Sequence, residues 1–234
     1  MKRRDFVQVC AAGAAGMTLP AEALPATPQN ARKYRRAKLV DDRREPIRAG
    51  ALQPGVNYVF EYPYSSTPCF LLRLAQPAPG GVELRTESGE IYRWEGGVGE
   101  GRSIVAYSAI CAHKMTYPTR QVSFIGYRDQ PSPVAGRGKV ITCCSDRSVY
   151  DPAAGARVLS GPAPQPLATI LLEHDPRADE LFAVGTFGGE MFTQFFTKYE
   201  FRLQLEAGPR AKEEVEGIAI VRTLDNYSSQ WAQC

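Results

Sequence analysis

The feature that most constrains the fold of this chain is a series of eight short β-type runs, which begin after Gly50 and are bounded by turn residues. The runs are rich in β-branched and aromatic residues, and no helical repeat competes with them. They cover residues 57–62, 69–74, 81–85, 104–107, 122–125, 139–142, 168–173 and 180–184. Short strands separated by turns are typical of an antiparallel sandwich or barrel. With 21 Gly and 18 Pro to form the turns, the sequence predicts an all-β fold.

Charge and hydropathy exclude two broad classes of function. The 28 basic and 25 acidic side chains nearly balance, which leaves a net charge of +3. This argues against an electrostatically driven nucleic-acid binder, so no nucleic-acid partner is predicted. The chain has no uninterrupted apolar run long enough for a membrane span, which argues against a multi-span membrane protein.

The N-terminus has the composition of a targeting segment. Residues 2–7 read KRRDFV, an apolar stretch rich in Ala and Gly follows, and Ala21-Glu22-Ala23 provides a small-x-small cleavage site. Residues 1–26 therefore resemble a twin-arginine signal peptide. The resemblance implies export to the periplasm or to the periplasmic face of the inner membrane, already folded around a cofactor. An uncleaved signal would also allow membrane association. Removal of the signal takes Cys10 away and leaves five cysteines.

Three further segments lie outside the eight runs. Residues 27–49 carry many charges and little apolar periodicity, which predicts an exposed linker or an arm on a partner. The aromatic stretch 191–201 is interpreted as a last strand with its cover, or as a docking surface. Residues 207–234 are expected to form a C-terminal extension, with a charged start at 212–216 whose composition suits a helix and a strand-like run at 218–221.

Two loops carry the residues with metal-binding chemistry. The first, within 109–118, contains Cys111-Ala112-His113, and the second, within 142–164, begins with Cys143-Cys144-Ser145-Asp146. A Cys-x-His pair places a thiolate and an imidazole on the same side of an extended loop. Such a pair can grip the two adjacent irons of a small cluster, but a second loop must close the site.

The second loop resembles that of the Rieske iron-sulfur family. The positions that match are Ser148, Tyr150, Asp151, Gly155, Gly161, Pro162 and Ala163. The resemblance implies a Rieske-type antiparallel β-sandwich or barrel over residues 50–206, with a two-loop subdomain that binds a [2Fe-2S] cluster. It also implies that Ser148 and Tyr150 donate hydrogen bonds to cluster sulfurs, and that the loop with Gly161 and Pro162 covers the cluster.

The chain departs from the family at the second histidine ligand. When Cys143 is aligned with the ligand cysteine, Asp146 takes the place of that histidine; when Cys144 is aligned, Arg147 does. The Cys143 alignment keeps the family distance to the following motif, so the predicted metal ligands are Cys111, His113, Cys143 and Asp146. An anionic carboxylate in place of a neutral imidazole is expected to lower the reduction potential. His174, distant from both loops in sequence, is interpreted as a surface residue.

The cysteine pattern differs from the family as well. Many respiratory relatives brace the two loops with a disulfide, but the resemblance places Thr116 and Ser145 at those positions. Cys144 then has no predicted partner, and Cys69 and Cys234 are left open as thiols, a disulfide or an intermolecular link. The long spacer at 117–139 indicates an inserted hairpin or loop near the cluster.

Three functions follow from these observations. The first is an exported electron-transfer subunit that carries the [2Fe-2S] cluster within a larger respiratory oxidoreductase, with a cytochrome or molybdenum-enzyme partner and no catalytic site of its own in evidence. The second is a cluster-free structural or assembly subunit with the same fold. The third is a zinc site of Cys111, His113, Cys143 and Cys144.

Overall fold

The computed structural model describes residues 31–234. The predicted signal peptide at 1–26, with Cys10, lies outside the described residues. Among the helices from residue 31 onward, none has the length and apolar character needed to cross a membrane.

The described part of the chain is built mainly of strands, as the sequence predicts. The strands are β1 (Arg32–Val40), β2 (Tyr58–Glu61), β3 (Pro68–Arg73), β4 (Val82–Arg85), β5 (Ile91–Trp94), β6 (Ile104–Ser108), β7 (Ile125–Arg128), β8 (Val140–Cys143), β9 (Ser148–Asp151), β10 (Arg157–Ser160), β11 (Thr169–Asp175), β12 (Glu180–Phe187), β13 (Gly217–Ile220) and β14 (Arg222–Thr223). Two α-helices follow late in the chain, α1 (Met191–Ala207) and α2 (Leu224–Tyr227). The all-β fold class is confirmed.

Eight of the strands form a nearly closed, barrel-like sheet. Their order is β13-β1-β12-β11-β6-β3-β2-β14. The two edge strands, β13 and β14, are separated in sequence by Val221 alone, so the chain itself draws the two edges of the sheet together. Neighbouring strands pair antiparallel except β1 and β13, which run parallel. The predicted antiparallel sandwich or barrel is therefore present.

A smaller antiparallel sheet, β10-β9-β8-β7, packs beside the barrel and carries the second loop. Strand β3 shows how the two units share a core. Leu71 belongs to the cluster inside the barrel, whereas Phe70 and Leu72 belong to the cluster that also contains Tyr150 and Cys143 of the smaller sheet. Because both faces of β3 are buried, its sequence is a continuous apolar run and not an alternating one.

The predicted linker at 27–49 is wrong over its central part. Residues Arg32–Val40 form β1, which pairs with β12 on one side and with β13 on the other. The basic side chains of Arg32, Lys33, Arg35 and Arg36 are exposed on both faces of the strand, while Ala37, Leu39 and Val40 are buried. The sequence indicates a linker here because the first half of β1 is charged and burial does not alternate along the strand.

The predicted domain limits of 50–206 are also too narrow. Strand β13 pairs with β1, and β14 pairs with β2, so residues from the expected C-terminal extension complete the main sheet. The strand-like run at 218–221 is found one residue earlier as β13. The charged start at 212–216 forms no α-helix, since a short 3-10 helix ends at Lys212.

The aromatic stretch at 191–201 is helical, so its prediction as a last strand is wrong. It lies within α1, which buries Phe192, Phe195 and Phe196 against the barrel core. Phe195 also contacts Tyr117 edge-to-face at 5.0 Å, just after the first loop. Packing against the core, and not docking, therefore accounts for most of these aromatic side chains.

Candidate metal centre

The first loop leaves the barrel at the end of β6 and folds back on itself. Cys111 and Thr116 close a tight loop, because the Cys111 N–H donates to the Thr116 carbonyl at 2.8 Å and the Met115 N–H donates to the Cys111 carbonyl at 2.9 Å. Met115 has a positive φ of 55°. The loop buries Cys111 fully and leaves the His113 side chain 40% exposed.

The second loop is the turn of the β8–β9 hairpin. Cys143 and Ser148 face each other as the last register pair of the hairpin. The Arg147 N–H donates to the Cys143 carbonyl at 2.8 Å, and the Ser148 N–H donates to Asp146 Oδ1 at 2.9 Å. Arg147 has a φ of 64° and is exposed. The hairpin thus fixes Cys143 and Asp146 on one side of the turn.

Potential ligand atoms from the two loops converge. The sulfurs of Cys111 and Cys143 and a carboxylate oxygen of Asp146 all lie within 4.8 Å of one another. Asp146 Oδ2 lies 3.2 Å from the Cys111 sulfur and 3.1 Å from His113 Nδ1. The structure therefore brings three of the four predicted ligands, Cys111, Cys143 and Asp146, into one group, and His113 contacts this group through Asp146.

The surroundings lower the pKa of two of the grouped side chains and raise the pKa of the third. A hydrogen bond from Cys143 lowers the pKa of the Cys111 thiol, and the same bond raises the pKa of Cys143. Burial would raise the pKa of Asp146, but hydrogen bonds from the Ser148 N–H and from the two thiols outweigh it and lower that pKa. A carboxylate at Asp146 suits a metal, because metal ligands must be deprotonated, and both thiols would have to lose their protons when a metal binds.

Two neighbouring side chains have polar atoms directed at this group. The Tyr150 hydroxyl lies 3.4 Å from the Cys111 sulfur and accepts from the Ala112 N–H at 3.2 Å. Burial raises the pKa of Tyr150, which keeps the phenol protonated and makes it the donor toward Cys111. Ser148 Oγ is buried close to Asp146 but reaches hydrogen-bond geometry with no atom of the described chain.

The glycine of the predicted covering loop lies against the second loop. Gly161 has a φ of 92°, and a Cβ there would lie 2.5 Å from Ser148 Cα and 2.6 Å from the Arg147 carbonyl oxygen. Only glycine allows this approach without a shift of the turn. Pro162 is exposed. The predicted cover therefore meets the turn at Gly161, while Pro162 faces outward.

Hydrogen bonds join the two loops at the positions where the resemblance implied a missing disulfide. Thr116 Oγ1 donates to Ser145 Oγ at 3.1 Å, and Lys114 Nζ donates to the Ser145 carbonyl at 3.1 Å. Lys198 of α1 in turn donates to the Lys114 carbonyl at 2.7 Å. The contacts of Lys114 and Lys198 could not be predicted, because neither residue carries a signal in the sequence for a contact of this kind.

The structure assigns a partner to Cys144. Cys144 and Cys234 form a disulfide with a Cα–Cα distance of 5.6 Å. The zinc alternative is wrong as stated, because Cys144 is not free to bind a metal. Cys69 is a buried thiol in β3. His174 pairs with Asp179 at 2.9 Å on the β11–β12 hairpin, away from the two loops.

Solved structures that are similar to this chain include a Rieske protein. No family model matches the chain. The crystal structure of the soluble domain of Rieske protein II from Sulfolobus acidocaldarius is similar over 65% of this chain and 78% of that chain, with 25% sequence identity and a TM-score of 0.45.

Proposed function

We propose that the protein transfers single electrons through a Rieske-type [2Fe-2S] cluster held by Cys111, His113, Cys143 and Asp146. The observation that carries the proposal is the convergence of buried ligand atoms from two separate loops, with the Cys111, Cys143 and Asp146 atoms within 4.8 Å of one another. Two thiols, an imidazole and a carboxylate form a donor set that iron accepts.

The surroundings of the four residues fit such a group. Ser148 Oγ is a buried donor without a hydrogen-bond partner in the described chain, as expected of a group meant for a cluster sulfur. Tyr150 donates toward the Cys111 sulfur and stabilises negative charge there. When bound, a [2Fe-2S] cluster supplies reversible one-electron transfer. The protein residues hold the ligands, exclude water from the cysteines and leave the His113 edge exposed.

We propose further that this is an exported subunit of a larger respiratory oxidoreductase, with a cytochrome or molybdenum-enzyme partner. The support is the twin-arginine pattern of residues 1–26, which suits a protein folded around a cofactor before export. The proposed location is the periplasm or the periplasmic face of the inner membrane. Membrane association would come from an uncleaved signal or from a partner.

The first experiment is iron and acid-labile sulfide analysis, with low-temperature EPR on dithionite-reduced protein matured and exported in its own host. We expect stoichiometric iron and sulfide, and a rhombic spectrum with an average g value below that of the free electron. Iron at background in this sample would overturn the proposal. The chain would then be a cluster-free scaffold.

Variants at the turn test the ligand assignment. Asp146→His should retain the cluster and raise its reduction potential, because a neutral imidazole replaces an anionic carboxylate. The matched control is Arg147→His, which introduces the same imidazole at the next position, where the side chain is exposed. A change of EPR g values with Arg147→His and not with Asp146→His would contradict the role of Asp146.

A further inference from the structure

The last residues of the chain lie along the second half of the site. Residues 228–234 follow α2 and are here named the C-terminal strap. The strap runs parallel to the spacer that precedes β7, with a bridge between Ser123 and Trp231. The Ser123 N–H donates to the Gln230 carbonyl, and the Ala232 N–H donates to the Ser123 carbonyl, both at 2.9 Å. The inserted spacer is thus partly covered by the chain's own C-terminus.

The strap also packs on the hairpin that carries the second loop. A Cβ at Gly126 would lie 2.7 Å from the indole ring of Trp231, so the indole lies directly on the β7 backbone. Gly126 pairs with Thr142 of β8, the residue before Cys143. Trp231 therefore supports the strand pair from which Cys143 projects.

The end of the strap is tied covalently to the second loop. Cys234 forms the disulfide with Cys144, which follows Cys143 directly. The Cys144 N–H donates to the Phe124 carbonyl at 2.7 Å, and Arg128 donates to the Cys234 carbonyl at 2.9 Å. The second loop is thereby fixed by contacts outside the group of candidate ligands.

We propose that the C-terminal strap, closed by the Cys144–Cys234 disulfide, is the covalent brace of the second loop and positions Cys143 and Asp146 for the cluster. This inference rests on the proposed function. The loop-to-loop contact at Thr116 and Ser145 is a single hydrogen bond, which resists opening much less than a covalent link. Cys144, Trp231 and Cys234 are positioning residues, because they act through the turn and not on the cluster.

The test begins with cluster-free protein, so that it does not depend on iron. Amide hydrogen exchange is compared between the wild type and Cys234→Ser at Cys144, Arg147 and Ser148, whose N–H groups are hydrogen-bonded in the turn. We expect the exchange rates of these amides to rise about tenfold or more. Exchange requires local opening of the turn, and loss of the disulfide should make that opening easier. Exchange at the Cys111 and Met115 amides of the first loop should not change.

The cluster-loaded protein gives a second readout. With Cys234→Ser, EPR lines should broaden and iron release to a chelator should accelerate severalfold, since the ligands sample more than one geometry. Selective reduction of the disulfide in folded wild-type protein should reproduce both effects. This experiment tests the same link if Cys234→Ser does not fold. Trp231→Ala, which keeps the disulfide, should show the same effects in weaker form. The control is Cys69→Ser, at a buried thiol of the barrel.

The outcomes separate this inference from the proposed function. Unchanged turn exchange in cluster-free Cys234→Ser, with intact disulfide in the wild type, would overturn the brace. Faster exchange with unchanged EPR and iron release would also overturn it, because the strap would then stabilise the turn without positioning ligands. Absence of iron from the wild type would overturn the proposed function and with it the positioning role, while the exchange result would still report on the turn.

Discussion

The two loops of the candidate centre are held by different means. The first loop contributes Cys111 and His113, and its outward links are hydrogen bonds, from Lys114 and Thr116 to the second loop and from Lys198 to the Lys114 carbonyl. The second loop is the turn of a hairpin and is also tied by a disulfide to the end of the chain. The second loop is therefore the more firmly fixed of the two.

The two loops differ in the sequence separation of the contacts that fix them. The turn at Cys143–Ser148 is closed by residues within five positions of one another, so the hairpin itself largely defines its shape. The first loop meets its partners across about 30 to 85 residues of sequence, with 31 between Lys114 and Ser145 and 84 between Lys114 and Lys198. Its position is set only when the helix and the hairpin have packed.

The largest expected effect compares neighbouring cysteines of the second loop. Cys143→Ala should reduce bound iron to background, as should Cys111→Ala, because each removes a sulfur of the converging group. Cys144→Ser should keep iron after reconstitution, since its sulfur belongs to the disulfide. Iron analysis checks all three. Retention of iron by Cys143→Ala with loss in Cys144→Ser would reverse the assignment of the two cysteines.

The next prediction concerns the covalent link of the second loop. Cys234→Ser should lower the free energy of unfolding by about 2–4 kcal/mol, because the disulfide closes a large loop; its cysteines are 90 residues apart. Urea denaturation measures this difference. Reduction of the wild type should give the same loss, and reduction of the variant should add nothing. A variant as stable as the wild type would mean that the strap is held by its packing alone.

Much of this fold could be predicted from the sequence, and the failures have identifiable causes. The runs at 57–62, 69–74 and 168–173 became β2, β3 and β11, because turn residues bound them clearly. Strand β1 was missed because its exposed positions are filled with Arg and Lys. The aromatic stretch became α1, since the aromatic residues that favour strands also fit a helix packed on a core.

Some features of the candidate site could also be predicted from the sequence, and others could not. The proximity of Cys111, Cys143 and Asp146 could be anticipated from the resemblance of the two loops to the family pattern, because each loop is a short local unit. The pairing of Cys144 with Cys234 could not, because free cysteines allow several pairings and only the folded chain brings these two together. The Thr116–Ser145 contact could be placed only through the resemblance, and its hydrogen bond only through the structure.

A double-mutant cycle would measure the strength of the hydrogen bond that links the first loop to the second. Thr116→Val and Ser145→Ala remove the two hydroxyls of the contact between the loops. We expect a coupling free energy of about 0.5–1 kcal/mol, the usual net value of one hydrogen bond. Thr197→Val is the control, because its hydroxyl bonds to its own helix at the Thr193 carbonyl. Zero coupling from unfolding measurements would mean that this bond does not join the loops.

The smallest predicted effect is a pH dependence of the free energy of unfolding. It arises from Glu61, which hydrogen-bonds to Tyr227 just before the strap. Burial raises the pKa of Glu61 in β2 above its ordinary value of 4.5, although Arg222, Tyr227 and Arg120 act in the opposite direction. A raised carboxyl pKa means that the folded state binds more protons than the unfolded state. The stability contribution is therefore fully present below pH 4.5 and is lost as the pH rises through the folded pKa.

Glu61→Gln should remove this dependence, because the amide does not ionise. The wild type should lose stability relative to the variant as the pH rises from about 4 to about 8, measured by urea unfolding at each pH. Asp225→Asn, at an exposed carboxyl of α2, is the matched control and should leave the pH profile unchanged. In Tyr227→Phe the pH effect should increase, because the Tyr227 hydroxyl hydrogen-bonds to Glu61 and lowers the pKa of that carboxyl. Loss of the pH effect in Tyr227→Phe would contradict burial as its cause.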